Sequence, residues 1–147
     1  SWRNGRRLSA LVSPIENLAA HRVTEVERSE ISQLLDSIGS TQAPLLLGNR
    51  TLGAAYFAVG SYDRASEHFL ASSTDRPDQS TVILRAASLS RLSQEQQDPN
   101  LKQLLKKDVD EALRGLGAMD KLDDRSERFL HLEGNLHRLI EASGANK

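Results

Sequence analysis

Residues 46–79 read LLGNRTLGAAYFAVGSYDRASEHFLASSTDRPDQ. Apolar side chains in this stretch recur at three- and four-residue steps, the period of a helix with one buried face. Gly60 interrupts that pattern. The stretch therefore predicts a helix that starts at about Pro44 and runs to about Val59. A shorter one follows, carrying Tyr62, Ala65, Phe69 and Leu70 and ending before Pro77. The two fold into a tight antiparallel hairpin. Gly53 and Ala65 are small where the helices would cross, and a larger side chain at either position would push them apart. Tyr56, Tyr62 and Phe69 fill the space around that crossing, and Pro77 closes the unit.

Outward from the hairpin the same period continues. Towards the N-terminus, Leu8, Leu11, Val12, Ile15, Leu18 and Ala19 mark a first helix, with Pro14 suited to its first turn behind Ser13. On that reading residues 1–13 are a loose basic edge. The opening Ser1, Trp2, Arg3, Asn4, Gly5, Arg6, Arg7 resembles the cut edge of a longer chain, or a stub beside a membrane span. Thr24 and Glu27 have the spacing of a capping box, and Ile31, Leu34, Leu35 and Ile38 follow as a stripe that Gly39 stops. Ser40 to Ala43 reads as a loop.

Towards the C-terminus, Val82, Ile83, Ala86, Ala87 and Leu89 carry a fifth helix to about Leu92, and Ser93 to Gln97 reads as a polar connection. Asp98 and Pro99 open a sixth helix with the strongest stripe of the chain, Leu101 through Leu116, closed by Gly115 and Gly117. Asp124 with Glu127 repeats the capping-box spacing ahead of Phe129, Leu132, Leu136, Leu139 and Ile140, so the seventh helix is expected to end at Gly144. About seven helices and no alternating stretch make the chain all-α.

The stretch 46–79 resembles a tetratricopeptide repeat, carried by Leu52, Gly53, Tyr56, Gly60, Tyr62, Ala65, Phe69 and Pro77 in the spacing of that family. The resemblance covers 34 of 147 residues. Asn49 replaces the usual Trp, and Ser72 stands where Ala is common. A second, degenerate unit would span 80–117, with Ile83, Ala86 and Ala87 suiting its first helix, Ser90 in the place of a Tyr and Ala112 as the small crossing residue. The resemblance implies one domain over 1–147, a right-handed superhelical stack of antiparallel hairpins with 123–143 as a capping helix. One hairpin cannot bury its own faces, so flanking helices must cover it.

The family geometry implies a concave, partner-binding face made of Leu47, Arg50, Ala54 and Phe57 from the clear unit and Thr81, Leu84, Ser88 and Arg91 from the next. Phe57 and Leu84 offer apolar contact there, and the two arginines could hold a carboxylate or backbone of a peptide. Ala54 stands where the Asn of a carboxylate clamp would fall, so that particular activity is not implied.

Composition narrows the function classes. A formal net charge of −1, from 19 Lys and Arg against 20 Asp and Glu, supplies no overall field for nucleic acid or an anionic membrane. With no cysteine there is no disulfide, thiolate metal site or Cys nucleophile. No apolar run approaches the ~20 residues of a membrane span. His21, His68, His131 and His137 lack metal-ligand spacing, and the pairs Glu25/Glu27, Asp108/Asp110 and Asp123/Asp124 read as helix-surface charge or caps. No phosphate-binding or nucleophile motif occurs. Lys102, Lys106 and Lys107 lie beside Asp108, Asp110 and Glu111 without interleaved aromatics, a solvated helix and not a nucleic-acid track.

The expectation is a cytoplasmic, non-catalytic module without cofactor or metal. It binds a protein or peptide and neither binds nucleic acid nor inserts in a membrane. The alternative is an oligomerisation or spacer domain, a homo-oligomer or the soluble part of a membrane-anchored protein.

Overall fold

In the computed structural model, which describes residues 2–19, 23–39, 47–75, 77–117 and 121–133, the regular structure is helical throughout. Seven helices occur among the described residues: α1 (Trp2–Glu16), α2 (Glu25–Ile38), α3 (Asn49–Ala58), α4 (Tyr62–Asp75), α5 (Gln79–Glu95), α6 (Pro99–Gly117) and α7 (Asp124–Leu132). Helices adjacent in sequence pack together from α3 through α6. In addition α1 lies against α2 and α3 and touches α5, while α7 rests on α5. The chain is thus an all-α stack of helical hairpins.

The α3–α4 hairpin forms as its sequence predicts. Gly60, at φ 84°, takes the left-handed turn that a side chain would strain. Its N–H donates to Phe57 O at 3.2 Å and that of Ser61 to Tyr56 O at 2.9 Å, so carbonyls left over at the end of α3 are satisfied. Gly53 faces the ring of Phe69, and a Cβ built on it would fall 2.7 Å from two ring carbons. Ala65 and Phe69 are fully buried. Asn49 holds His68 through a 2.9 Å contact between Oδ1 and Nδ1, and His68 stacks on Tyr56 with ring centroids 5.4 Å apart.

Elsewhere the boundaries shift for local reasons. The first helix starts at Trp2, so 2–13 form the greater part of α1 and not a loose edge, and Pro14 lies near its end. Leu8, Val12 and Ile15 are buried on one face, which fixes the helix through tertiary contact. Its end is a full Schellman motif without glycine: Leu18 sits at φ 54°, its N–H bonds Ile15 O at 3.0 Å, and that of Ala19 bonds Pro14 O at 2.8 Å. A left-handed Leu costs roughly 1–2 kcal/mol, and its near-complete burial offsets that cost.

The capping box at the start of α2 is present in both directions, with Glu27 N donating to Thr24 Oγ1 at 3.1 Å and Thr24 N to Glu27 Oε1 at 3.2 Å. Gly48, at φ 77°, precedes α3, which begins at Asn49; Pro44, expected to open that helix, lies outside the described residues.

The second hairpin is longer than the first. Its helices have 17 and 19 residues against 10 and 14. Most of the expected polar connection is helix: α5 continues to Glu95, and buried Ser93 donates to Lys102 O at 3.3 Å across the hairpin. Ala112 is buried in α6.

At α7 the cap is Asp123 and not Asp124, its carboxylate accepting from Ser126 N at 2.8 Å. Gln79 fastens this start to α5. Its amide oxygen accepts from Asp123 N at 3.1 Å and from Ser126 Oγ at 2.6 Å. Leu136, Leu139, Ile140 and the expected helix end at Gly144 lie outside the described residues, as do His21 and His137.

Candidate functional site

The residues expected to line an open groove are largely enclosed. Ala54, Thr81, Leu84 and Ser88 are fully buried, and Phe57 is only 7% exposed. Ser88 turns its hydroxyl back onto Leu84 O at 2.8 Å. Neighbouring helices enclose these residues: α1 lies on α3 and touches α5, and α5 is packed between α4 and α6. Leu47 is half-buried and stands apart, beside Gly5 and Trp2 of α1.

Arg50 is part of this closure. Its Nη2 donates to the backbone oxygen of Glu16 at 2.7 Å, a cation on a free carbonyl at the C-terminal end of α1, and to Ser80 Oγ at 3.1 Å. Nη1 lies 4.0 Å from Asp78 Oδ2, while Asp78 itself caps α5 through Thr81 N at 2.8 Å. Burial pushes the Asp78 carboxyl up, but the bonds from Thr81 and Ser80 and the charge of Arg50 outweigh it and hold it below its usual range. Glu16 shows the opposite balance. Burial raises its pKa, against a 3.1 Å bond from Thr51 Oγ1 and the nearby Arg50. Arg50 therefore ties α1, α3 and α5 together.

At the other end of the predicted face, Phe57 and Arg91 do meet around an open space. The Arg91 guanidinium lies 4.5 Å from the Phe57 ring centroid and 5.5 Å from that of Tyr62, and the two rings meet edge to face at 5.5 Å. Nη1 of Arg91 donates to Tyr62 Oη at 3.0 Å. Nε donates to Glu133 Oε2 at 3.1 Å, and Nη2 pairs with Glu133 Oε1, a forked charge-assisted contact with the carboxylate just past α7. Burial alone would lower the Arg91 pKa. The bonds and charges of Glu133 and Tyr62 reverse that and keep it cationic.

Around this cluster lies a cavity of about 250 Å³, walled by Ile15, Val23, Phe57, Tyr62, Phe129 and Leu132, with Arg28 and Glu133 at its polar side. Leu132 is 67% exposed on the rim.

Of the eight predicted site residues, then, the structure brings Phe57 and Arg91 to an accessible cavity and makes the others structural or peripheral. Tyr62, Phe129 and Glu133 were missed as members of it. Tyr62 carried only a packing signal, and Glu133 stands 42 residues from its partner, with no spacing to mark it.

Among the described residues no three His, Asp or Glu side chains gather as a metal site, and no helix is long and apolar enough to cross a membrane. Comparison of the chain with family models, with curated proteins and with solved structures finds no match.

Proposed function

We propose that this chain is a non-catalytic protein-interaction module of tetratricopeptide-like type. It takes an apolar side chain of a peptide or partner protein into the cavity between Phe57, Tyr62 and Phe129. The observation that carries this reading is the cavity itself: aromatic walls and a rigidly held arginine are the composition of interface anchor points, and an exposed leucine on the rim adds apolar contact. At 250 Å³ the space falls below the roughly 300–1,000 Å³ of small-molecule sites and suits one or two anchoring side chains. Arg91 stays in place without a ligand, because Glu133 and Tyr62 already hold it, so little ordering is required on binding.

Peptide display on the native chain and on Leu132→Asp tests this. The exposed position lets the variant fold, as circular dichroism would verify. The expected outcome is a set of peptides with a shared aromatic or aliphatic anchor that the native chain enriches and the variant loses. Equal enrichment on both removes the cavity as the binding site.

A second reading, an oligomerisation or spacer domain, is favoured by a different observation. Leu101 and Leu104 are three residues apart on α6 and both exposed, at 41% and 57%. A second copy could cover them. Sedimentation of the native chain beside Leu104→Glu distinguishes the readings, since a dimer through this face dissociates in the variant while the cavity's peptide binding persists.

A further inference from the structure

The first two turns of α1 carry a pattern that the fold does not need. Trp2 is 70% exposed, and Arg3 and Arg6 are exposed beside it, with no acidic side chain in that first turn. Arg3 neighbours both Arg6 and Arg7 on the helix surface, where like charges repel, and positive charge opposes the dipole at a helix N-terminus. Arg7 is drawn towards α2, its Nε and Nη2 donating to Glu30 at 2.7 and 3.2 Å. Arg6 instead lies over the indole of Trp2, 4.8 Å from its centroid.

Beside this pair a cleft of about 180 Å³ runs past Gly5 and Ser9 to Leu47. Gly5 leaves its floor free of a side chain, and Ser9 places a hydroxyl within it. The stripe that continues from Gly5, namely Leu8, Val12 and Ile15, is committed to the core.

We propose that this edge is a peripheral contact for an anionic phospholipid bilayer, with the Trp2 indole at headgroup depth and Arg3 and Arg6 on lipid phosphates. A tryptophan is suited to that layer because its ring is apolar and its N–H reaches water. A guanidinium matches phosphate with two parallel donors. Because the apolar face of α1 is occupied, the helix does not sink into the acyl region as a free amphipathic helix does. The contact is shallow, reversible and governed by charge. A nucleic-acid track would need cations repeated along a longer surface with several stacking rings, whereas here one ring and a few arginines share one edge.

Trp2 is the only tryptophan of the chain, so its fluorescence reports this edge alone. The full chain is titrated with vesicles of phosphatidylserine and phosphatidylcholine, and with vesicles of phosphatidylcholine only, at low and at physiological salt. The expected result is a blue shift and co-sedimentation with the anionic vesicles alone, weakened by salt. Arg3→Gln with Arg6→Gln should lower the partition coefficient about 25-fold, about fivefold for each charge removed, with unchanged helicity because both side chains are exposed. The absence of a shift, equal binding to neutral vesicles or unaltered partitioning of the double variant each overturns the proposal. So does a shift produced by inorganic phosphate alone. A polyglutamate peptide or a single-stranded oligonucleotide that shifts Trp2 at lower concentration than the anionic vesicles overturns it in favour of that partner.

Discussion

Replacing Gly53 by alanine sets two effects of known sign against each other. On helix propensity alone alanine is better than glycine by about 1 kcal/mol in a helix interior, and α3 contains Gly53 well inside its ends. The new Cβ, however, would stand 2.7 Å from Cδ1 and Cε1 of Phe69 and 3.0 Å from Cζ. Carbon atoms rest at about 3.5–4.0 Å, so ring and methyl must separate by about 1 Å. Phe69 is fully buried, and its neighbours have to move with it. Overpacking of this kind costs about 1–3 kcal/mol, occasionally more. Net of the propensity gain, Gly53→Ala should lose up to about 2 kcal/mol, which at roughly 2–4 °C per kcal/mol for a domain near this size lowers Tm by up to about 8 °C.

Urea unfolding followed by far-UV circular dichroism reads this directly. The companion measurement is a double-mutant cycle with Phe69→Leu, which removes the ring edge. In that background Gly53→Ala should become neutral or stabilising. A single variant that gains the full propensity term would refute the close crossing of α3 and α4 at this point.

Two further outcomes follow from the polar contacts. Arg91→Met leaves the Glu133 carboxylate and the Tyr62 hydroxyl without their partner and should cost about 2–4 kcal/mol in urea unfolding. Glu133→Gln, which keeps hydrogen-bond capacity, should cost less than half of that. For His68, burial holds the pKa below its ordinary value of 6.5, with Glu67 acting to raise it and Arg64 to lower it. The unfolded histidine therefore takes a proton first as the pH falls. The stability due to this residue is complete above about pH 6.5, declines as the pH drops towards the folded pKa and is level below it. Urea midpoints across this range, steeper for the native chain than for His68→Gln, check the sign.

The sequence alone specified the helices and the one clear hairpin. Gly60 marked the break between two helices, the small residues Gly53 and Ala65 marked a close crossing, and Thr24 with Glu27 marked a helix start. All of these are relations between residues near in the chain, where period and backbone preference act directly. The misplaced boundaries have the same explanation in reverse. Pro14 is tolerated near the end of α1 and Leu18 adopts the turn that glycine would usually supply, since packing outweighs both local preferences.

What only the tertiary structure decided is which surface each apolar stripe covers. The stripe Leu8, Val12, Ile15 and the face Ala54, Leu84, Ser88 each called for cover, but an apolar stripe is satisfied equally by a partner's helix or by the chain's own. The sequence period carries no address. The fold packed neighbouring helices over the face expected to be open, left an accessible space at Phe57, Tyr62 and Phe129, and joined Arg91 to a glutamate 42 residues away. Contacts at such separations depend on how the helices stack, and residue spacing records only that each of them has something to bury.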